Sequence, residues 1–461
     1  MTRNNIIISV ATLLLAIILG GGYWYVTKTP AGKALFESFP GESTVREGGA
    51  TAGGEPTPTP DDATPVDIPP NTSSALPRLY ELHKAPVAGV GFAETKDKKG
   101  FIMSISARYI ERGLGHIYET PFSTYTESRI VNETRLSIAE AAWGNNGKSA
   151  VVRFIDDKEG GVIKTRIINI GAPSISFARG TSTESVANDF LKTEEVYLPD
   201  YIPFLALAQD GADKLFYLGG GDGFTTNFKD TSFSKVFSST FTEWLPQFPN
   251  QKLITLTTKP SEKVFGYLFF LNPSTKSVTK VLGGINGLTT LTSPDGKLVL
   301  YSEIKSGSPE LSLYDTVKKE TRQLYVQTLP EKCVWGIKKT TVVYCAVPQT
   351  LPRASYPDQW YQGLVSFSDD LWEVDAKTFI ARRMVETKTL GAPALDMTNL
   401  SLSSDDAYLL FMNKASGTPW VYSVIPPVPQ RLVENSQAVA PIATPTSVPP
   451  SVITSDMQKL R

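Results

Sequence analysis

The chain has 461 residues, of which 41% are hydrophobic and 20% charged, a composition typical of a globular protein with a sizeable core. Lysine and arginine number 45 and aspartate and glutamate 46, so the chain lacks the basic field with which nucleic-acid-binding proteins neutralise phosphates. It contains only two histidines, two cysteines and no Cys-x-x-Cys pair, which argues against a His-rich zinc site or a zinc ribbon. We therefore expect no nucleic-acid partner, no metal and no cofactor.

The first predicted element is a transmembrane helix. Residues 5–26 carry no charge and are long enough to cross a bilayer, and the Tyr-Trp-Tyr triplet at 23–25 is typical of an interfacial aromatic belt. The alternative is a cleaved signal peptide with its apolar core at residues 6–19, but no convincing small-x-small cleavage site follows. We predict an uncleaved signal anchor at residues 1–27.

Two Pro/Thr-rich segments flank the predicted folded region. Residues 28–75 contain a Pro-Thr alternation that favours extended polyproline-II chain, and residues 434–461 repeat this composition. We predict a flexible stalk, a folded domain at residues 76–433 and a disordered tail. Basic residues on both sides of the membrane span leave its orientation open. The stalk and the cysteine pair described below favour a single-pass protein whose folded domain lies outside the cytoplasm.

A strand-turn-strand pattern repeats through residues 76–433. Its clearest copy, residues 288–324, reads as four strands, and its first turn is Ser-Pro-Asp-Gly at 293–296. Proline fixes φ there, aspartate bonds back to the backbone and glycine tolerates positive φ. Together with six weaker copies, this copy gives one such turn near each of seven positions, which are 99, 148, 213, 252, 297, 338 and 406.

The spacing of these turns predicts an all-β fold, a seven-bladed β-propeller. Four of the six intervals are close to the ~40–45 residues of a propeller blade, and the two long intervals contain candidate insertions at residues 181–200 and 348–372. A pair of β-sandwiches would not need this period, and a β-helix would show shorter repeats. To close the ring, a strand within residues 76–92 should pair with the last blade near residues 420–424.

The best copy of the repeat resembles a known family. Ser293-Pro294-Asp295-Gly296-Lys297, followed by Leu-Val-Leu-Tyr-Ser-Glu and then Leu-Ser-Leu-Tyr-Asp-Thr, is similar to the Pro-Asp repeat of TolB-like, WD-repeat-like bacterial β-propellers. Such propellers usually act as binding platforms in the bacterial envelope. The resemblance implies a non-enzymatic binding or scaffold module whose partner is another envelope protein or a polymer. The rest of the chain is not TolB-like, so the family's known partners do not transfer.

No catalytic residue stands out in the sequence. A Gly-x-Ser-x-Gly elbow is missing, which argues against a prolyl-peptidase. The Asp-Asp pairs at 156–157 and 369–370 lack EF-hand spacing, and we interpret both as solvated turns rather than calcium ligands. The alternative function is an envelope hydrolase or lyase, which an acid pair converging on the central channel would favour.

The second candidate insertion, residues 348–372, is the best candidate for partner binding, because aromatic residues and arginine anchor protein interfaces. The alternative is that the same rings pack the insertion onto its own blade, since aromatic residues also dominate cores. The candidate interface residues are Arg353, Tyr356, Asp358, Trp360, Tyr361 and Trp372.

The two cysteines form a candidate disulfide. Cys333 and Cys345 flank the proposed turn at Lys338 and Lys339, so in an antiparallel hairpin they face each other. Their Cα atoms would be ~4.5–5.5 Å apart, within disulfide range. Such a bond persists in an oxidising compartment, which suits an exported domain. The alternative is two free thiols acting as small buried hydrophobic groups.

Overall fold

The computed structural model describes residues 76–156, 161–173, 190–229 and 232–426. These residues form seven four-stranded antiparallel sheets arranged as a seven-bladed β-propeller, which confirms the predicted all-β fold and blade number. The predicted anchor at 1–27, the stalk at 28–75 and the tail at 434–461 lie outside the described residues. Within the described ranges, no helix has the length and apolar character needed to cross a bilayer.

The described chain begins with the short strand β1 (Leu79–Glu81), and the other 27 strands follow in blade order. The strands of blades one to three are β2 (Val87–Lys96), β3 (Ile102–Glu111), β4 (Ile117–Pro121), β5 (Ser128–Val131), β6 (Ile138–Gly144), β7 (Ser149–Asp156), β8 (Val162–Pro173), β9 (Leu191–Tyr197), β10 (Leu205–Leu207), β11 (Leu215–Gly219), β12 (Asp222–Thr226) and β13 (Ser234–Ser238).

Blades four to seven follow the same plan, and each blade's first strand is the innermost. Their strands are β14 (Trp244–Asn250), β15 (Leu253–Thr258), β16 (Phe265–Leu271), β17 (Val278–Asn286), β18 (Thr289–Thr292), β19 (Leu298–Lys305), β20 (Ser308–Asp315), β21 (Glu320–Gln323), β22 (Cys333–Trp335), β23 (Val342–Pro348), β24 (Asp369–Asp375), β25 (Ala381–Val385), β26 (Met397–Leu402), β27 (Tyr408–Asn413) and β28 (Pro419–Ser423).

The hydrophobic core lies mainly between adjacent blades. One cluster joins Leu300, Leu311 and Leu313 of blade five to Trp335 and Val343 of blade six, and similar clusters join blade six to seven and blade seven to one. Each blade is too thin to bury its own apolar faces, so it buries them against its neighbours. The position of any loop at the end of a blade therefore depends on the blades beside it.

The innermost strands of blades one and two approach each other closely. A Cβ atom added to Gly89 of β2 would lie 1.9 Å from the carbonyl oxygen of Ala141, and one added to Gly91 would lie 2.3 Å from Cβ of Trp143. The Trp143 indole also donates a hydrogen bond to the carbonyl of Gly89 at 3.1 Å. Glycine is required at both positions because any side chain would separate the two blades.

All seven predicted turns join the first strand of a blade to its second. In blade five, the amide of Gly296 donates to the carbonyl of Ser293 at 2.9 Å, and the Ser293 hydroxyl bonds the Asp295 carboxylate at 2.8 Å. Blade seven repeats this turn, with the Ser403 hydroxyl 2.6 Å from the Asp405 carboxylate. The recurring side-chain-stabilised turn confirms that the repeated phrase marks the same place in each blade.

The ring is closed by the N-terminal strand. β1 is the outermost strand of blade seven and pairs antiparallel with β28, with Leu79 opposite Tyr422 and Glu81 opposite Trp420. Arg78 extends the junction, because its guanidinium donates to the carbonyl of Ser423 at 3.0 Å. This pairing confirms the predicted closure between the start of the domain and its last blade.

The cysteine prediction is also confirmed. Cys333 of β22 lies directly opposite Cys345 of β23, Trp335 lies opposite Val343, and the two sulfur atoms are bonded. The Cα atoms of the cysteines are 4.1 Å apart, which is closer than the ~4.5–5.5 Å predicted for facing residues. The expectation that the domain is exported stays a prediction.

The two predicted insertions differ from expectation. Leu191–Tyr197, placed in the first insertion, is strand β9, the outermost strand of blade two, and residues 181–189 lie outside the described residues. The charged residues of β9 hide the alternating apolar pattern by which a strand is recognised in the sequence. An edge strand tolerates them because it needs little apolar surface. The second insertion is shorter than predicted, since β23 continues to Pro348 and β24 begins at Asp369. The blade-six insertion is therefore residues 349–368.

Candidate ligand-binding face

The blade-six insertion lies at one end of the propeller. It joins the second and third strands of its blade, and in antiparallel blades these loops share an end with the connections between blades. We call this end the upper face. The insertion contains a single turn of α-helix, Asp358–Tyr361, beside a second short helical turn, Pro330–Lys332, that precedes β22.

Two of the predicted interface residues are buried within this insertion. Tyr356 and Trp360 form a hydrophobic cluster with Phe367, and the cluster includes Ile304 of blade five and Leu329 of the connection to blade six. The rings of Trp360 and Phe367 are stacked with their centroids 6.0 Å apart. These side chains pack the insertion onto the propeller, as the second interpretation of the sequence expected, but their partners outside the insertion belong to blade five and to the connection between blades five and six.

Polar contacts tie the helical turn to neighbouring loops. The Asp358 carboxylate accepts a hydrogen bond at 2.8 Å from the amide of Glu262, in the loop between β15 and β16 of blade four. The Tyr361 hydroxyl donates to the carboxylate of Glu331. Partial burial raises the pKa of this carboxyl, and its second oxygen has no hydrogen-bond partner among the described residues. The helical turn thus lies across blade five and reaches blade four.

A buried ion cluster fixes the other side of the insertion. The ammonium of Lys332 lies 2.8 Å from Oδ2 of Asp369 and 2.6 Å from Oδ1 of Asp396, and all three side chains are inaccessible to solvent. Lys332 also donates to the carbonyl of Met397 at 2.9 Å. Asp396 in turn accepts a hydrogen bond from the indole of Trp360 at 3.1 Å. Lys332 therefore connects blade six to blade seven, and Asp396 extends the connection to the insertion.

The electrostatics of this cluster follow from its burial. Burial raises the pKa of Asp369 to about 6, against the opposing effect of Lys332. Its Oδ1 has no hydrogen-bond partner within the described ranges. Lys414 lies 4.6 Å above the Trp360 ring and donates to the Trp360 carbonyl, and burial lowers its pKa. Moving the insertion would leave one of these buried charges without its partner, which costs free energy. The cluster therefore holds the insertion in one position.

The interpretation of Asp369 and Asp370 as a solvated turn is wrong. Both begin strand β24 and are buried. Asp370 accepts hydrogen bonds from the side-chain amide of Gln349 at 2.8 Å and from the backbone amide of Thr387 at 3.1 Å. The two carboxylates are internal anchors of blade six, positioned by partners distant in the sequence.

The remaining predicted interface residues lie at or near the surface. Arg353 is exposed, Tyr361 is 37% exposed, and the neighbouring Leu364 is 67% exposed. Trp372 belongs to β24 rather than to the insertion and is half-buried. The upper face therefore presents Arg353, Tyr361 and Leu364 to solvent on a support held by buried contacts.

Trp372 lines an open cleft of about 380 Å³ between blade five and the base of the insertion. Sequence reasoning selected Trp372 but missed Tyr325, a cleft residue that is 94% exposed. The cleft is lined by Glu310, Leu311, Gln323, Leu324, Tyr325, Val326, Gln327, Val347, Pro348, Gln349, Leu351 and Trp372.

No family model and no curated protein matches the chain. Among solved structures, an oligogalacturonate lyase in complex with manganese is 11% identical, covering 76% of this chain and 94% of the lyase, with a TM-score of 0.46. TolB from Acinetobacter baumannii is 11% identical, covering 72% and 79%, with a TM-score of 0.38. The Myceliophteria thermophila Cps50 (Swd1) β-propeller domain is 10% identical, covering 75% and 99%, with a TM-score of 0.44.

Proposed function

We propose that the chain is a single-pass, membrane-anchored protein whose propeller acts outside the cytoplasm as a non-enzymatic binding or scaffold module. Its ligand is another envelope protein or a polymer, and it docks on the upper face around the blade-six insertion. The observation that carries this proposal is that contacts to neighbouring blades fix the position of the insertion. Contacts to blades four, five and seven hold the insertion in place, and the insertion presents Arg353, Tyr361 and Leu364 to solvent. A surface fixed before binding loses little conformational entropy on association.

The burial of the carboxylates in the ion cluster favours a binding function over a catalytic one. Asp369 and Asp396 are enclosed and both contact Lys332, so a substrate would have to displace the insertion to reach them. The hydrolase or lyase alternative is best represented by Glu331, whose pKa is raised and which bonds the partly exposed Tyr361. A raised pKa suits a general acid. Polymer cleavage that Glu331→Gln abolishes without loss of binding would favour this alternative.

A site-specific crosslinking experiment tests the docking site. A photo-crosslinking amino acid replaces Leu364 in the full chain in intact cells. The matched control carries it at Val317, which is 71% exposed in the turn between β20 and β21 at the opposite end of blade five. We expect an adduct of one defined mass from position 364 and none from 317. Equal labelling at both positions, or no adduct at 364, would contradict docking on the upper face.

Protease accessibility tests the location of the domain. We expect protease added to intact spheroplasts to digest the propeller while a cytoplasmic marker protein stays whole. Complete protection of the propeller would refute the extracytoplasmic location, and release of the intact chain by a carbonate wash would refute the membrane anchor.

A further inference from the structure

One wall of the cleft between blade five and the insertion is the extended segment 324–328, in which buried and exposed residues alternate. Leu324 and Val326 are buried in the core cluster shared by blades five and six. The Thr328 hydroxyl donates to the carbonyl of Ala346 of β23 at 2.6 Å. The residues between them, Tyr325 and Gln327, therefore point outward. The buried neighbours fix the backbone on both sides of Tyr325, and this backbone directs the Tyr325 ring toward solvent.

The opposite wall is equally well supported. Trp372 of β24 pairs in register with Cys345, which is bonded to Cys333, so the disulfide lies beside Trp372 in the same sheet. Gln349, at the start of the insertion, donates from its side-chain amide to buried Asp370 at 2.8 Å, which orients that side chain. The cleft thus has two fixed walls, each carrying one aromatic ring, and a volume within the usual range for small-ligand sites.

The lining of the cleft has a distinct chemistry. It includes Gln323, Gln327 and Gln349, whose amides both donate and accept hydrogen bonds. Tyr325 and Trp372 add flat apolar faces with polar edges. The only charged side chain among the lining residues is that of Glu310. Amides beside aromatic rings suit a ligand whose hydroxyl groups also donate and accept and whose ring faces carry C–H groups.

We propose that this cleft binds a neutral oligosaccharide. One sugar ring lies against Tyr325 or Trp372, and its hydroxyl groups bond Gln323, Gln327 and Gln349, directly or through water. An acidic polysaccharide fits less well, because no side chain that lines the cleft is a cation able to pair with its carboxylates. Glu310, the one charged side chain of the lining, is itself paired with Lys305 at 3.4 Å. This proposal rests on the proposed function as a binding module and specifies the class of polymer that the cleft recognises.

Calorimetric titration of the full chain tests the proposal, in a detergent without a sugar headgroup so that the detergent does not compete. The probes are chitohexaose, cellohexaose and maltohexaose, with hexagalacturonate as the acidic comparison. We expect at least one neutral hexasaccharide to bind with a Kd below 1 mM, about the weak end of specific binding, and more tightly than hexagalacturonate. Saturable binding of none of the neutral sugars, or tighter binding of hexagalacturonate, would overturn the proposal.

Variants assign the binding to the cleft. Tyr325→Ala should raise Kd at least about tenfold, as expected for an aromatic hot spot, with unchanged melting temperature because the side chain is exposed. Gln327→Ala should raise Kd less, by roughly threefold, about the value of one neutral hydrogen bond. Tyr201→Ala is the matched control, since Tyr201 is 70% exposed in the connection between blades two and three. Unchanged affinity in Tyr325→Ala would place any sugar site elsewhere and refute the inference.

The two proposals fail in different ways. If position 364 crosslinks to an envelope protein while no neutral sugar binds, the binding module stands and the oligosaccharide cleft is wrong. If a neutral sugar is cleaved during the titration, with product release visible by chromatography, the non-enzymatic function is wrong while the cleft stands.

Discussion

Replacing Lys332 with methionine removes the cation that contacts both Asp369 and Asp396. Methionine keeps most of the side-chain volume, so the main change is that two solvent-inaccessible carboxylates lose their partner. Removing one partner of a buried ion pair costs about 3–5 kcal/mol. We expect Lys332→Met to lower the free energy of unfolding by that amount.

Denaturant titration followed by tryptophan fluorescence measures this effect, with two comparisons. Lys297→Met removes one partner of the solvent-exposed Lys297–Asp295 pair, 3.2 Å apart, and should cost less than about 1 kcal/mol. The double variant Lys332→Met/Asp369→Asn removes one of the stranded charges and should recover part of the loss. A free energy of unfolding for Lys332→Met within about 1 kcal/mol of the unchanged protein would refute the reasoning.

The pH dependence of the same variant provides a second check. Without Lys332, Asp369 should take up a proton more readily, because burial already raises the pKa of its carboxyl and the cation that opposes this effect is gone. A carboxyl whose pKa is raised in the folded state stabilises the protein at low pH and loses that contribution as pH rises through its folded pKa. The deficit of Lys332→Met should therefore be largest near pH 8 and smaller near pH 5.

Three further predictions concern closure, the disulfide and titration. Truncating the domain to begin at Leu82 rather than Leu76 removes β1 and should lower the melting temperature by at least about 5 °C, measured by circular dichroism. Replacing Cys333 and Cys345 with alanine should lower the free energy of unfolding by roughly 2–3 kcal/mol, since the bond closes a loop with a sequence separation of 12. In the unchanged protein, burial raises the pKa of Asp369 to about 6, so the free energy of unfolding should fall by roughly 2 kcal/mol as the pH rises from 4 to 6.

Specific outcomes would contradict each of these expectations. An unchanged melting temperature in the truncated chain would mean that blade seven is stable with three strands. Two alkylated thiols in unreduced protein, found by mass spectrometry, would refute the disulfide. Asp369→Asn should remove the slope between pH 4 and pH 6, and a slope that persists in that variant would have to come from other groups.

The features that the sequence predicted well depend on local chemistry. The turn at 293–296 uses serine, proline, aspartate and glycine within four residues, so it can be recognised without knowing where the chain goes next. The facing cysteines follow from one hairpin, since the register of an antiparallel pair is set by its turn. Blade number and disulfide were predictable for the same reason.

The features that the sequence did not predict depend on distant contacts. Lys332 and Asp396 are 64 residues apart, and only the packing of blade six against blade seven brings them together. Asp369 looked like part of a solvated turn because two adjacent aspartates usually are. The same limit applies within the insertion, where Trp360 is buried and Arg353 exposed although both residue types serve interfaces.

The closing strand has a mechanical consequence. β1 starts opposite Tyr422 and lies beside β28, so the polypeptide enters and leaves the propeller at the same edge of blade seven. Tension on the polypeptide before Leu79 would act first on Arg78, whose guanidinium holds the carbonyls of Ser423 and Val424 at 3.0 and 3.2 Å and lies over the Tyr422 ring. Pulling would therefore separate β1 from β28, and so open the ring, before it disturbed blade six.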